Sequence, residues 1–158
     1  MRAAILTVST SVANARGEDA SGPALAGAAE RAGCDIEAME VVPDDRALIE
    51  DRLTHFCDAG IDVVLTTGGT GFTPDDVTPE ATRAVIEREA PGIAEAMRAV
   101  SLAHTKMAVL SRAVAGIRGA TLIVNFPGSP KAIEETFGVL EPVLAHAVRT
   151  LRGDGRHG

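Results

Sequence analysis

Apolar positions along the chain recur in two alternating periods. "AAILTVS" (3–9) is apolar and branched almost without a break, which predicts a buried strand. After the polar loop "TSVANARGEDASG", "PALAGAAERAG" (23–33) takes helical spacing, with Pro23 near the first turn and Gly33 just past the end. "DIEAMEVV" (35–42) alternates partly, as a strand nearer a sheet edge does. "PDDRALIEDRLTHFCDAG" (43–60) places Leu48, Ile49, Leu53 and Phe56 on one helical face and stops at Gly60. "IDVVLTT" (61–67) is apolar through its middle, as central parallel strands are. Helices are predicted over "TPEATRAVIERE" (78–89), with Thr78 as N-cap and Pro79 at the first helical position, and over "APGIAEAMRAVSLAH" (90–104). Two short strands around a Gly-bounded turn follow in 107–128. A long helix, 129–151, closes the chain, with Gly138 and Pro142 as places for a bend.

Strands alternating with helices predict an α/β fold: a mostly parallel sheet covered on both faces, a three-layer α/β/α sandwich. The 158 residues suit one domain over 1–152, with "RGDGRHG" suggesting a flexible tail from 153. In such sheets ligands bind beyond the carboxyl ends of the strands. Three loops fall there, after Ser9, Thr67 and Asn125.

Composition removes several classes of function. A net charge of -7 gives no basic surface for nucleic acid, and 3% aromatics leave little to stack bases on. No apolar run is long enough for a bilayer. Cys34 and Cys57 are far apart in a patternless context, which predicts buried thiols and a reducing compartment, the cytoplasm. The four histidines lack ligand spacing.

Three stretches could carry chemistry. In "TTGGTG" (66–71), glycines following a strand either make a bare turn or expose amides to an anion. The stretch is not a P-loop, which needs Lys-Ser/Thr where Phe72-Thr73 stands, nor a dinucleotide fingerprint, since Pro74 takes the place of the last glycine. In "NFPGSPKA" (125–132), Ser129 can cap a helix whose N-terminus favours an anion. Lys131 in its first turn is either solvated or an anion contact. The acids Asp44, Asp45, Asp75 and Asp76 follow the second and third strands. Asp44 could cap the next helix or hold a cation; Asp76 lies free upstream of Thr78. Two carboxylates with substrate phosphates suit Mg²⁺, which would reconcile acids with an anion site.

"TTGGTG", "DVTPEAT", "PGIAEAMR", "LSRAVAG" and "LIVNFPGSPKA", in that order, resemble the molybdopterin adenylyltransferase family of molybdenum cofactor biosynthesis. The resemblance implies a trimer that transfers AMP from Mg-ATP to molybdopterin and hands the product on in a transient contact with the molybdenum-insertion enzyme. It puts the two functional aspartates on Asp44 and Asp76. The substrate loops become Thr67, Gly68, Gly69, Thr70 and Gly71, and Asn125, Pro127, Gly128, Ser129 and Lys131. The N-terminal loop contributes Ser9, Asp19, Ser21 and Gly22, and Thr10 stands where many members carry an acid. A homologue that binds the pterin without turnover, or an interaction module, is the alternative.

Overall fold

The computed structural model describes residues 1–154. Strand β1, Arg2–Val8, sends alternate side chains to two separate cores. Ala3 and Ile5 enter one; Ala4, Leu6 and Val8 enter the other. The same parity runs through β3 (Val63–Thr67) and β6 (Thr121–Phe126): Val63, Leu65, Val124 and Phe126 face the first core, Val64 and Ile123 the second. Both faces are apolar because both are covered, as expected for central parallel strands.

The first core is closed by helices α2 (Ser21–Arg31), α5 (Pro91–Leu102) and α6 (Pro130–Leu151), through Leu25, Met97, Ile133, Phe137, Leu140 and Leu144. Phe126 stacks on Phe137, ring centroids 5.6 Å apart. The second core is closed by α3 (Arg46–Asp58) and α4 (Thr78–Val85), through Ile49, Leu53, Phe56, Ala81 and Val85. Each fully buried Leu or Ile contributes about 1.5–3 kcal/mol, so the two cores together hold the sandwich. The expected three layers are therefore present.

The six strands lie in the order β2-β1-β3-β6-β5-β4. β2 (Asp35–Val42), β1, β3 and β6 are parallel; β5 (Ala115–Arg118) and β4 (Arg88–Glu89) return antiparallel. β2 lies at an edge, as its alternation predicted. Because β1, β3 and β6 are neighbours, the loops after Ser9, Thr67 and Phe126 emerge side by side.

Four local expectations fail. The helix expected to reach 89 stops at Val85: Ile86 is extended, and Glu87 N donates to Ile117 O, drawing the chain into the sheet edge. The segment from Met107 begins not as a strand but as a 3-10 helix, Lys106–Leu110, whose first turn Thr105 caps through Met107 N. The polar loop after β1 contains a short helix α1, Thr10–Ala13, capped by Ser9. Thr78 does not cap α4; Val77 occupies that place, and the Thr78 hydroxyl donates to Gly68 O at 3.0 Å. α6 runs as one helix through Gly138 and Pro142. The tail expected from 153 lies outside the described residues from 155 onward.

Candidate active site

Beyond the carboxyl ends of β1 and β3 lies a polar cavity of about 380 Å³. Ser9, Asp19, Ser21, Asp44, Thr67, Gly68, Gly69, Asp76 and Gly128 line it. Most of the residues expected at the site thus meet in one place, from loops widely separated in the chain. Glu18 also lines the cavity, whereas among the described residues no Lys or Arg does.

Backbone conformation makes this possible at Gly68 and Gly69, with φ of +97° and +69°. A Cβ at Gly68 would run into the Val8 carbonyl, and one at Gly69 into the Thr78 hydroxyl, 3.3 Å from Asp44 Oδ1. The chain therefore lies flat against β1 and turns back beside Asp44. Gly68 N is spent on Phe126 O. Among the described residues, the amides of Gly69, Thr70 and Gly71 meet no protein acceptor, and of the three only Gly69 lines the polar cavity, where a free amide suits an anion. The Thr67 hydroxyl donates to Pro127 O at 2.7 Å and ties this loop to the next.

The two central aspartates are held differently from the rest. Asp45, not Asp44, caps α3, accepting from Leu48 N. Asp44 is left for the cavity. Its Oδ2 accepts from Thr10 N at 3.2 Å and Thr10 Oγ1 at 2.9 Å, while Thr10 Oγ1 accepts in return from Asp44 N. Asp76 Oδ2 accepts from Thr73 N at 3.0 Å. Each carboxylate keeps Oδ1 without a protein donor among the described residues. Such a pair fits Mg²⁺, whose remaining ligands are usually water and substrate phosphate. No group of three or more His, Cys, Asp or Glu able to hold a metal occurs among the described residues, so an ion here would depend on the substrate for part of its shell.

Other expected site residues are bonded into the fold or lie off the cavity. Asn125 is fully buried and faces away from the cavity. Its Nδ2 donates to Thr66 and Thr82 hydroxyls, both at 3.0 Å, and its Oδ1 accepts from Val114 N. With its side-chain polar atoms satisfied, it fastens β6 to α4. Asp19 spends both oxygens inside the fold, accepting from Thr7 Oγ1 and Gly22 N at 2.8 Å each. Ser129 caps α6 through Ala132 N. Lys131 is exposed next to Pro130 but does not line the cavity.

Thr70, Gly71 and Pro127 fall on a second, apolar cavity of about 360 Å³, shared with Phe72, Met97 and Met107. The glycine loop is the wall between the two cavities. In the sequence Thr10 stands out only as a departure; its bonding to Asp44 depends on a contact across 34 positions that no local pattern announces.

A parallel-centred α/β/α sandwich with a polar cavity at the carboxyl end of its sheet is the doubly covered open-sheet type, in which ligands bind at that end. Residues 4–146 match the family "Probable molybdopterin binding domain", and the chain belongs to that family. It is 53% identical over 97 residues to the molybdopterin adenylyltransferase of Haemophilus influenzae, covering 61% of this chain and 49% of that protein. It is 45% identical over 116 residues to the enzyme of the same name from Helicobacter pylori J99, covering 73% and 66%. Against the molybdenum cofactor synthesis protein cinnamon of Drosophila melanogaster it is 40% identical over 152 residues, 95% of this chain and 25% of that one. The chain thus spans between a quarter and two thirds of the length of these relatives. The solved molybdopterin biosynthesis enzyme MoaB of Thermus thermophilus superposes with a TM-score of 0.90 at 45% identity, over 96% of each chain.

Proposed function

We propose that the chain transfers AMP from Mg-ATP to molybdopterin, releasing pyrophosphate. The observation that carries this reading is the meeting of Asp44 and Asp76 with the unpaired amide of Gly69 in one polar cavity whose described wall lacks basic side chains. Four carboxylates line that cavity, so a polyphosphate could enter only with a cation beside it. The relatives named molybdopterin adenylyltransferase support the choice of substrates.

In the reaction, a terminal phosphate oxygen of molybdopterin forms a bond to the α-phosphorus of ATP. The bond from that phosphorus to the bridging oxygen breaks, and pyrophosphate leaves with the electron pair. The attacking phosphate is anionic at neutral pH, so no strong base is demanded, and positioning and charge neutralisation dominate. Mg²⁺, held by Asp44 and Asp76, would supply neutralisation of the departing charge. The amide of Gly69 would hold a phosphate oxygen. The rigid turn at Gly68 would keep both substrates against β1.

The same reading includes a homotrimer in the cytoplasm. Phe72, Leu102, Met107 and Val109 are large apolar residues left 48–67% exposed, a surface that association would cover, and Cys34 and Cys57 are both free thiols. The deciding experiment measures pyrophosphate release with Mg-ATP, with and without molybdopterin. Release that needs both substrates is expected. Tight molybdopterin binding with no release would leave a pterin-binding homologue, the reading favoured if the chain acts as one module of a longer protein like cinnamon.

A further inference from the structure

The motif "LSRAVAG" contains Arg112, a half-buried arginine outside the polar cavity. Its contacts converge on the glycine loop. Its backbone amide donates to Thr70 O at 2.9 Å. Its Nε donates to Gly71 O and its Nη2 to Asp76 O, both at 2.8 Å. Its Nη1 donates to the Glu80 carboxylate at 2.8 and 3.0 Å. Gly71 and Asp76 are the two ends of a turn whose middle, residues 72–75, is exposed. Within that turn the fastenings are Asp76 N to Thr73 O and Thr73 N to Asp76 Oδ2. Both are internal, so neither fixes the turn to the rest of the molecule. One planar guanidinium therefore grips both ends of the turn at once. Glu80, on the first turn of α4, holds that guanidinium in its plane. The hydrogen bond and charge of Arg112 in return keep the Glu80 carboxyl below the ordinary carboxylate range.

We propose that Arg112 is the positioning residue of the site, setting the place of the Asp76 carboxylate by clamping the turn Gly71–Asp76. It does not line the polar cavity and acts through the turn. A lysine would keep the charge but has no planar fork to span two carbonyls and a carboxylate. The kinetic consequence rests on the adenylyl-transfer reading; the structural one does not.

The test compares Arg112→Lys, Asp76→Asn and the double variant with wild type. Amide hydrogen exchange in residues 70–77 of Arg112→Lys should quicken about tenfold, with β3 unchanged. Pyrophosphate release should slow about 10- to 100-fold in kcat, with KM for ATP nearly constant. The double variant should be no slower than Asp76→Asn alone, because a clamp has nothing left to position. Unchanged exchange in 70–77 would overturn the proposal, as would fully additive losses in kcat. If wild type releases no pyrophosphate, the adenylyl-transfer reading fails, while the exchange measurement still decides the role of Arg112. Should Arg112→Lys not fold, Glu80→Ala frees one anchor of the fork and carries the same exchange test. About threefold faster exchange in 70–77 is then expected, and none would overturn the proposal.

Discussion

The two ends of the central sheet treat negative charge in opposite ways. At the amino end, buried Asp62 accepts from Arg2 N at 2.8 Å and from Arg152 Nε at 3.0 Å, and Arg2 also pairs with Glu37 at 2.8 Å. At the carboxyl end, Glu18, Asp19, Asp44 and Asp76 share a cavity with no described lysine or arginine on its wall. The first arrangement fastens the last helix to the sheet and needs nothing else. The second leaves one oxygen of Asp44 and one of Asp76 without a protein donor among the described residues. Acids at one end are tied into the fold; at the other, Asp44 and Asp76 are the pair that the proposed reaction would use to hold a cation.

Substitutions at the two ends should separate these roles. Asp76→Asn should fold with an unchanged or slightly higher melting temperature, yet lose about 10²–10³ in adenylyl transfer; turnover at the wild-type rate would erase the distinction. Asp62→Ala should do the reverse. It removes several hydrogen bonds at a buried position and should cost about 1–3 kcal/mol, while activity of the folded fraction persists, as thermal melts paired with turnover would register.

The same contrast has a pH signature. Burial pushes the Asp62 carboxyl up, but hydrogen bonds from Arg152 and Arg2 and the charge of Arg152 outweigh it, so it lies below the ordinary carboxylate range. A lowered value means that the stabilisation is complete above the ordinary range and disappears as pH falls through the depressed one. Melting temperature followed from pH 7 down should therefore fall more steeply in wild type than in Asp62→Asn.

Smaller effects sharpen the description of the carboxyl end. Thr10→Val deletes the hydroxyl bonded to Asp44 and should lower turnover about three- to tenfold, with Thr10→Ser restoring most of it. Lys131→Ala, exposed and off the cavity wall, should change ATP affinity by no more than about threefold, the effect of an exposed charge. A larger loss in binding titrations would draw α6 into the site.

Much of this is legible in the sequence because it is local. Uninterrupted apolar runs mark β1 and β3, and Ser129 before Pro130 marks the start of α6. The failures come where a distant partner decides the outcome. Asp44 and Asp45 are indistinguishable as helix caps on paper; Thr10, 34 positions away, claims Asp44 and leaves Asp45 to cap. Thr78 has the chemistry of a cap, but the close approach of Gly68 takes its hydroxyl. Asn125 opens a motif that reads as a ligand loop, yet strand parity turns it into the second core beside Thr66 and Thr82. Arg88–Glu89 looks like the end of a helix because its pairing partner lies far downstream in β5.

The borders of the sheet carry a separate consequence, for how this chain keeps from adding strands to itself. β4 offers only two residues to a newcomer. β2 is longer, but Asp35 and Glu37 are exposed along it, and Arg2 and Arg52 brace Glu37 and Glu40 across its faces. Met39 and Val41 continue the same exposed row, so the charges oppose a second copy along its first half and leave the second half apolar.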